Sequence, residues 1–157
     1  MADQRSEKFK TPDRAGIPDT TRAHVAEMEA SRADGVWVKA AMAHMLVRTL
    51  GRKSGKEHKV ALPYWVDESG CAIVVASFAG ADFHPAWFHN LADKSANPEL
   101  FCRFQHEDFW ADAVILEADD HAKVWEALTT DRPFYRDYQA LTERRLPLVR
   151  LVKTRAA

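Results

Sequence analysis

Cysteine and net charge are scarce in this chain, and each scarcity removes a class of protein. The two cysteines in 157 residues, Cys71 and Cys102, sit inside apolar runs with no metal-ligating partner at short spacing. They read as reduced core thiols of a cytoplasmic protein, not as a disulfide framework. The formal net charge is −1, so there is no general attraction to nucleic acid or acidic membranes, and any anion site must be a local cluster. No stretch approaches the roughly 20 apolar residues of a membrane span. Residues 1–10 are polar and mixed in charge, unlike a secretory signal. The seven histidines are scattered. His84 and His89, five apart, do not share one helix face, which speaks against a zinc site. A G-x-S-x-G elbow, an internal repeat and a dividing linker are all lacking.

What is present is a globular composition, 46% hydrophobic and 29% charged, at the length of one domain. Residues 1–16 are charged, hold Pro12 and Gly16 and show no apolar period. They read as a flexible arm, which leaves 17–157 as a single domain. A helix is predicted from Asp19-Thr20-Thr21 through Val25 and Met28 to Ala33, stopped by Asp34-Gly35. Strands follow at 44–50 and 58–66, with Pro63 marking an edge or bulge. A third strand, 71–78, is apolar at nearly every position and so buried on both faces. His84-Pro85 opens a helix. Residues 100–104 and 109–117 pair as a hairpin. Asp119 and Asp120 start a helix striped with Val124, Trp125 and Leu128, and Pro133 opens another carrying Phe134, Tyr138 and Leu141. A strand at 146–152 closes the chain. Short strands joined by turns predict an α+β, mostly antiparallel, barrel-like sheet with flanking helices.

Three clusters could carry chemistry. The loop Gly51-Arg52-Lys53-Ser54-Gly55-Lys56 packs three cations, a hydroxyl and two glycines between strands, which suits phosphate or carboxylate oxygens. It is not a nucleotide P-loop, because three residues separate the glycines and Glu57 follows Lys56. A solvated hairpin turn has the same composition. The second cluster is the strand-to-helix junction Ser77-Phe78-Ala79-Gly80-Ala81-Asp82-Phe83-His84-Pro85-Ala86-Trp87-Phe88-His89-Asn90. Trp87 and Asn90, three apart, offer one flat apolar surface and one amide to a planar heterocycle. Singly, the tryptophan is more often core and the asparagine more often surface. The third is Tyr135 with Tyr138, whose phenols could orient an acceptor or supply a proton, or could merely pack aromatic surface on the barrel.

In that order, and with His84-Pro85-Ala86-Trp87-Phe88-His89-Asn90-Leu91, Ala96-Asn97-Pro98 and Tyr135-Arg136-Asp137-Tyr138-Gln139, these segments resemble the deazaflavin-dependent nitroreductase family of actinobacteria. That family is a branch of the flavin-type split β-barrels, and the likeness runs over residues 44–152. It implies a split β-barrel that binds coenzyme F420 and passes hydride to a small electron-poor nitro compound, enone or quinone. It implies that Arg52, Lys53, Ser54 and Lys56 hold the anionic tail of the coenzyme. Ser77, Ala79, Trp87 and Asn90 then line the ring, and Tyr135 and Tyr138 border the acceptor. The chain departs from the pattern at Phe78, where the family often has lysine, and at Ala79, where it has glycine. Glu57-His58 stands for Pro-Arg, and Arg132 stands where some members have tyrosine.

The rivals are the same barrel with FMN, and a non-catalytic module that binds the deazaflavin or a fatty acid. A basic loop suited to a long anionic tail favours F420 over FMN, which ends in one phosphate. Split barrels commonly pair, so a homodimer is an expectation at the level of fold.

Overall fold

The computed structural model describes residues 14–157. Most of the proposed arm lies outside them. Its last residues, Arg14–Gly16, form a 3-10 turn leading into α1, Ile17–Ala30. Pro18 stands in the first turn of that helix, where its missing N–H costs nothing. The helix ends at Ala30, before the predicted Ala33. The Asp34-Gly35 pair expected to stop it instead begins a second short helix, α2, Asp34–Trp37.

Eight strands follow: β1 Val38–Lys39, β2 Met42–Leu50, β3 Glu57–Pro63, β4 Trp65–Val66, β5 Ala72–Val75, β6 Leu100–Arg103, β7 Asp108–Ile115 and β8 Leu148–Ala156. Between β5 and β6 lies α3, Ala86–Ala92, and between β7 and β8 lie α4, Ala118–Asp131, and α5, Phe134–Gln139. Every strand pairing is antiparallel. The order is β1-β2-β6-β7-β8-β5-β4, and β3, off this path, also pairs with β2. The predicted strand 58–66 therefore divides. Pro63, which cannot donate to a ladder, ends β3 on an edge, and Trp65–Val66 turns away to pair with β5.

Burial follows the pleat. All four residues of β5 are buried. Ala72 and Val74 face the barrel interior with Met45, Val47, Cys102, Val149 and Leu151. Ile73 and Val75 face the opposite layer with Val124, Leu128, Tyr135 and Leu148. Val25, Met28 and Trp37 seal a third cluster on Leu46 of β2. Each such fully buried aliphatic contributes about 2 kcal/mol of transfer free energy. The resulting half-barrel leaves α1, β3, α3 and α5 around one open side. No helix among the described residues is long and apolar enough to cross a membrane.

Candidate functional site

The basic loop is rigid because its backbone is closed on itself. Gly51 N–H donates to the Lys56 carbonyl at 2.8 Å and Gly55 N–H to the Gly51 carbonyl at 2.8 Å. Gly55 needs its φ of 69°. At Gly51 a Cβ would lie 2.5 Å from Ser54 Oγ and 3.1 Å from His58 Nε2, so a side chain there would push the loop apart. Two asparagines clip the loop to the next element. Asn97 joins Leu50 through both its amide oxygen (2.7 Å) and its amide nitrogen (2.8 Å), which also reaches the Asn90 carbonyl. Asn90 Oδ1 accepts from Arg52 N–H at 3.3 Å, and its Nδ2 donates to Thr49 Oγ1 at 3.3 Å.

The charge on this loop is unbalanced. Among the described residues no carboxylate pairs with Arg52, Lys53 or Lys56, whereas most other cations face one, as Arg150 faces Asp67 at 2.7 Å and Arg103 faces Asp108 at 2.9 Å. Three exposed cations that form no ion pair with a carboxylate among the described residues give this hairpin a local positive field suited to an anion.

The strand-to-helix junction is a strained turn stapled from outside. Phe78, Ala79 and Gly80 all have positive φ, of 43°, 54° and 77°. Gly80 is obligatory, since a Cβ would lie 2.6 Å from the Tyr138 carbonyl. Arg144, which sequence reasoning did not single out, holds the turn. Its guanidinium donates to the carbonyls of Ala81 (2.6 Å), Ser77 (2.8 Å) and Ala76 (3.2 Å), and to His84 Nδ1 at 3.1 Å. His84 must be neutral to accept that bond, and burial, Arg144 and His89 together hold its pKa below the usual imidazole value. Arg14 adds a second clasp on the Ala79 carbonyl, at 3.2 and 3.3 Å. No local pattern marks Arg144, because its partners lie 60 or more residues away.

Between these two features and α1 opens a cleft of about 710 Å³, with Ser77, Ala79, Trp87, Asn90, Tyr135 and Tyr138 all in its wall. The sequence-predicted residues of the junction and the late helix thus meet in one place. Arg52, Lys53, Ser54 and Lys56 are not wall residues. They border the cleft where His58 enters it, joined through the Asn90 clip. β3 runs from His58 at this end to Pro63 at the other, about 17 Å of strand. At the Pro63 end His44 pairs across from β3, and Met42, Phe134 and Tyr135 also line the cleft.

Two of these residues are held by the fold itself. Asn90 is buried and its amide already binds Arg52 N–H and Thr49 Oγ1, so it positions the cationic hairpin, with one N–H and one lone pair left over. Tyr135 is 3% exposed, and burial pushes its hydroxyl up to about 12. It therefore keeps its proton in neutral solution and can donate a hydrogen bond. Tyr138 is half-buried, and burial, helped by Asp137, also raises its pKa. α1 and His44 were missed as walls, since the stripe of α1 predicts only that it packs. Burial holds His44 below the ordinary imidazole value, with His24, Arg132 and Lys39 acting the same way and the bond to the Met42 carbonyl opposing them. Among the described residues no cluster of His, Cys, Asp and Glu could hold a metal ion.

With this geometry in view, comparison with known proteins is informative. A family model described as F420H(2)-dependent quinone reductase matches residues 20–153. An F420H(2)-dependent quinone reductase of Mycobacterium tuberculosis is 29% identical over 112 residues, covering 69% of this chain and 72% of the relative. A solved F420-H2 dependent reductase (FDR-A) superposes with a TM-score of 0.58 at 31% identity, over 69% of this chain and 92% of that one. A solved domain-swapped dimer superposes with a TM-score of 0.61 at 26% identity, over 87% and 97%.

Proposed function

The chain belongs to the F420H(2)-dependent quinone reductase family, and from that premise we propose that it is a cytoplasmic enzyme reducing a quinone with coenzyme F420 bound along the cleft. The observation that carries the residue assignment is the charge layout. Three exposed cations that form no ion pair with a carboxylate among the described residues stand on the loop clipped to Asn90 of the cleft wall, and the wall itself carries Trp87, Phe134, Tyr135 and Tyr138. An elongated ligand with an anionic tail and a flat head fits that polarity. FMN, with one phosphate, would leave much of the loop's charge unanswered.

The residues divide the work as follows. Arg52, Lys53 and Lys56 hold the tail by charge-assisted hydrogen bonds, with the Ser54 hydroxyl beside them. Ser77 and Ala79 present the strained turn to the ring, where a backbone fixed by Arg144 and Arg14 loses no freedom on binding. Trp87 supplies a flat apolar wall. When bound, the coenzyme supplies a hydride. Phe134, Tyr135 and Tyr138 border the acceptor and exclude water, and the two phenols donate hydrogen bonds to its oxygens.

The test is direct. Purified protein with reduced coenzyme and menadione should show quinone-dependent recovery of oxidised-coenzyme fluorescence, and Tyr138→Phe should slow it without changing coenzyme affinity. Failure with menadione and with benzoquinones, despite coenzyme binding, would favour the non-catalytic carrier instead. The domain-swapped neighbour supports a homodimer for this chain too, and sedimentation velocity decides that point.

A further inference from the structure

His84 stands behind the strained turn and is not itself a wall residue of the cleft, although Ser77, Phe78 and Ala79 before it and Pro85 after it are. What His84 meets is Arg144, whose Nη1 donates to its Nδ1 at 3.1 Å. The same guanidinium donates to the carbonyls of Ala76, Ser77 and Ala81. Four of the five N–H groups that an arginine offers are thus in use. No carboxylate among the described residues forms an ion pair with Arg144, so three carbonyls and one imidazole hold its charge in place.

That contact dictates the charge of the imidazole. An arginine has no acceptor atom, so Nδ1 must be bare and the ring hydrogen sits on Nε2. A proton added to Nδ1 would set two donors against each other at 3.1 Å, each on a cation. The groups around the ring offer that proton no partner. Arg144 faces it from the segment between α5 and β8. From α3 come Phe88, with its ring centroid 4.7 Å away, and His89, at 5.5 Å. Within the junction Asp82 is exposed, and its charge is felt at Arg144. Burial, Arg144 and His89 all favour the neutral ring. The turn that relies on this contact keeps Phe78 and Ala79 at positive φ, a conformation that residues with a Cβ hold only when the surroundings impose it.

We propose that His84 is a positioning residue for the coenzyme: in its neutral form it seats Arg144 on the carbonyls of the turn, and on protonation it loosens the turn and weakens coenzyme binding. The inference rests on the F420 reading of the cleft, in which the ring lies against Ser77 and Ala79. The direction follows from the bond. The neutral ring is the form that the clasp needs, and the fold holds its pKa below 6.5. The clasp is therefore complete above pH 6.5 and is lost as pH falls through the lowered value. Coenzyme bound to the closed turn would expel the proton, so binding and protonation oppose each other.

The test measures the dissociation constant of oxidised coenzyme F420 by tryptophan quenching from about pH 7.5 to about pH 5, for the wild type, His84→Asn and His84→Phe. Asparagine offers an amide oxygen where Nδ1 stood and does not titrate, whereas phenylalanine keeps a ring and removes the acceptor. At the upper pH, His84→Asn should bind within about 3-fold of the wild type and His84→Phe about 10-fold more weakly. The ratio of the wild-type constant to that of His84→Asn should rise about 5-fold towards the lower pH, and by no more than about tenfold per pH unit, since one proton is involved. Titration of the ligand or of His58 is common to both proteins and cancels in the ratio. A second readout needs no ligand. Gly80 N–H donates to the Ser77 carbonyl at 2.9 Å and Ala81 N–H to the Phe78 carbonyl at 3.1 Å. Exchange of these two amides, taken relative to His84→Asn at the same pH, should quicken about 5-fold over that range. A flat affinity ratio, a flat exchange ratio, or wild-type affinity in His84→Phe would overturn the proposal. Should His84→Phe fail to fold, the His84→Asn series decides alone. If the wild type binds coenzyme while either ratio stays flat, only this inference fails; if the wild type does not bind it at any pH, the reading beneath fails and takes the proposal with it.

Discussion

At position 79 a methyl group is held on backbone with φ 54° and ψ 33°, a region that costs a non-glycine residue about 1–2 kcal/mol. The two clasps from Arg14 and Arg144 are what keep it there. Ala79→Gly should remove that cost while adding about 0.5–1 kcal/mol of unfolded-state entropy, for a net gain of about 0.5–1 kcal/mol in urea unfolding. A loss of stability would mean that the Ala79 methyl contributes more in packing than its backbone costs. Lys53 belongs to the same scale of argument. It is exposed and forms no ion pair among the described residues, so Lys53→Ala should weaken coenzyme binding about 3- to 10-fold at low salt. Most of that difference should vanish near 1 M salt, where the screening length is about 3 Å. An unchanged dissociation constant at low salt would remove the loop from the site.

Among the elements, the ones legible in the sequence were those whose pattern is set by burial alone. β5 is apolar at every position because both of its faces are covered, and the β6–β7 hairpin announces itself by its polar turn. α4 shows its stripe for the same reason. What could not be read there depends on partners distant in the chain. The short α2 forms where Asp34-Gly35 suggests a stop, because Trp37 is drawn into the cluster of Val25, Met28 and Leu46. α5 ends at Gln139, short of Leu141, since Gln139 turns its amide to the carbonyls of Thr142 and Arg144. The junction turn was visible as a run of small residues, yet its staple was not. Arg144→Met should therefore cost about 3 kcal/mol in thermal or urea unfolding, given several charge-assisted bonds lost at once. It should also weaken coenzyme binding. Normal stability together with normal binding would show that the turn holds itself.

For the molecule as a whole, the junction and late-helix residues expected to act together do line one cleft, but the sequence could not tell which of their polar groups are already bonded within the fold. Asn90, tied to Arg52 N–H and Thr49 Oγ1, is the example. Titration behaviour is another property of the whole fold. His44, His84 and His121 have pKa values held below 6.5, in each case by burial first. Their neutral forms are favoured by folding, so stability is full above pH 6.5 and declines as pH falls below it, when the unfolded chain takes up protons first. Asp67 adds a lower step. Burial pushes its carboxyl up, but bonds from Ser69, Arg150 and Cys71 N–H outweigh burial and leave it below 3.8. Its contribution is present above that value and lost as pH drops through the lowered one. Urea midpoints should therefore decline in two stages between pH 7 and pH 2, and Asp67→Asn should flatten the second. A single step near pH 4 would assign the histidines no part.

The central claim is that an F420-sized ligand lies with its tail on the Arg52, Lys53 and Lys56 loop and its ring at Ser77, Ala79 and Trp87. A fluorescence titration of the purified protein with oxidised coenzyme F420, run beside FMN, tests it most directly. Saturable binding of the deazaflavin, weakened by salt and much tighter than FMN, is the predicted result. Binding of FMN alone, or of neither, would contradict it.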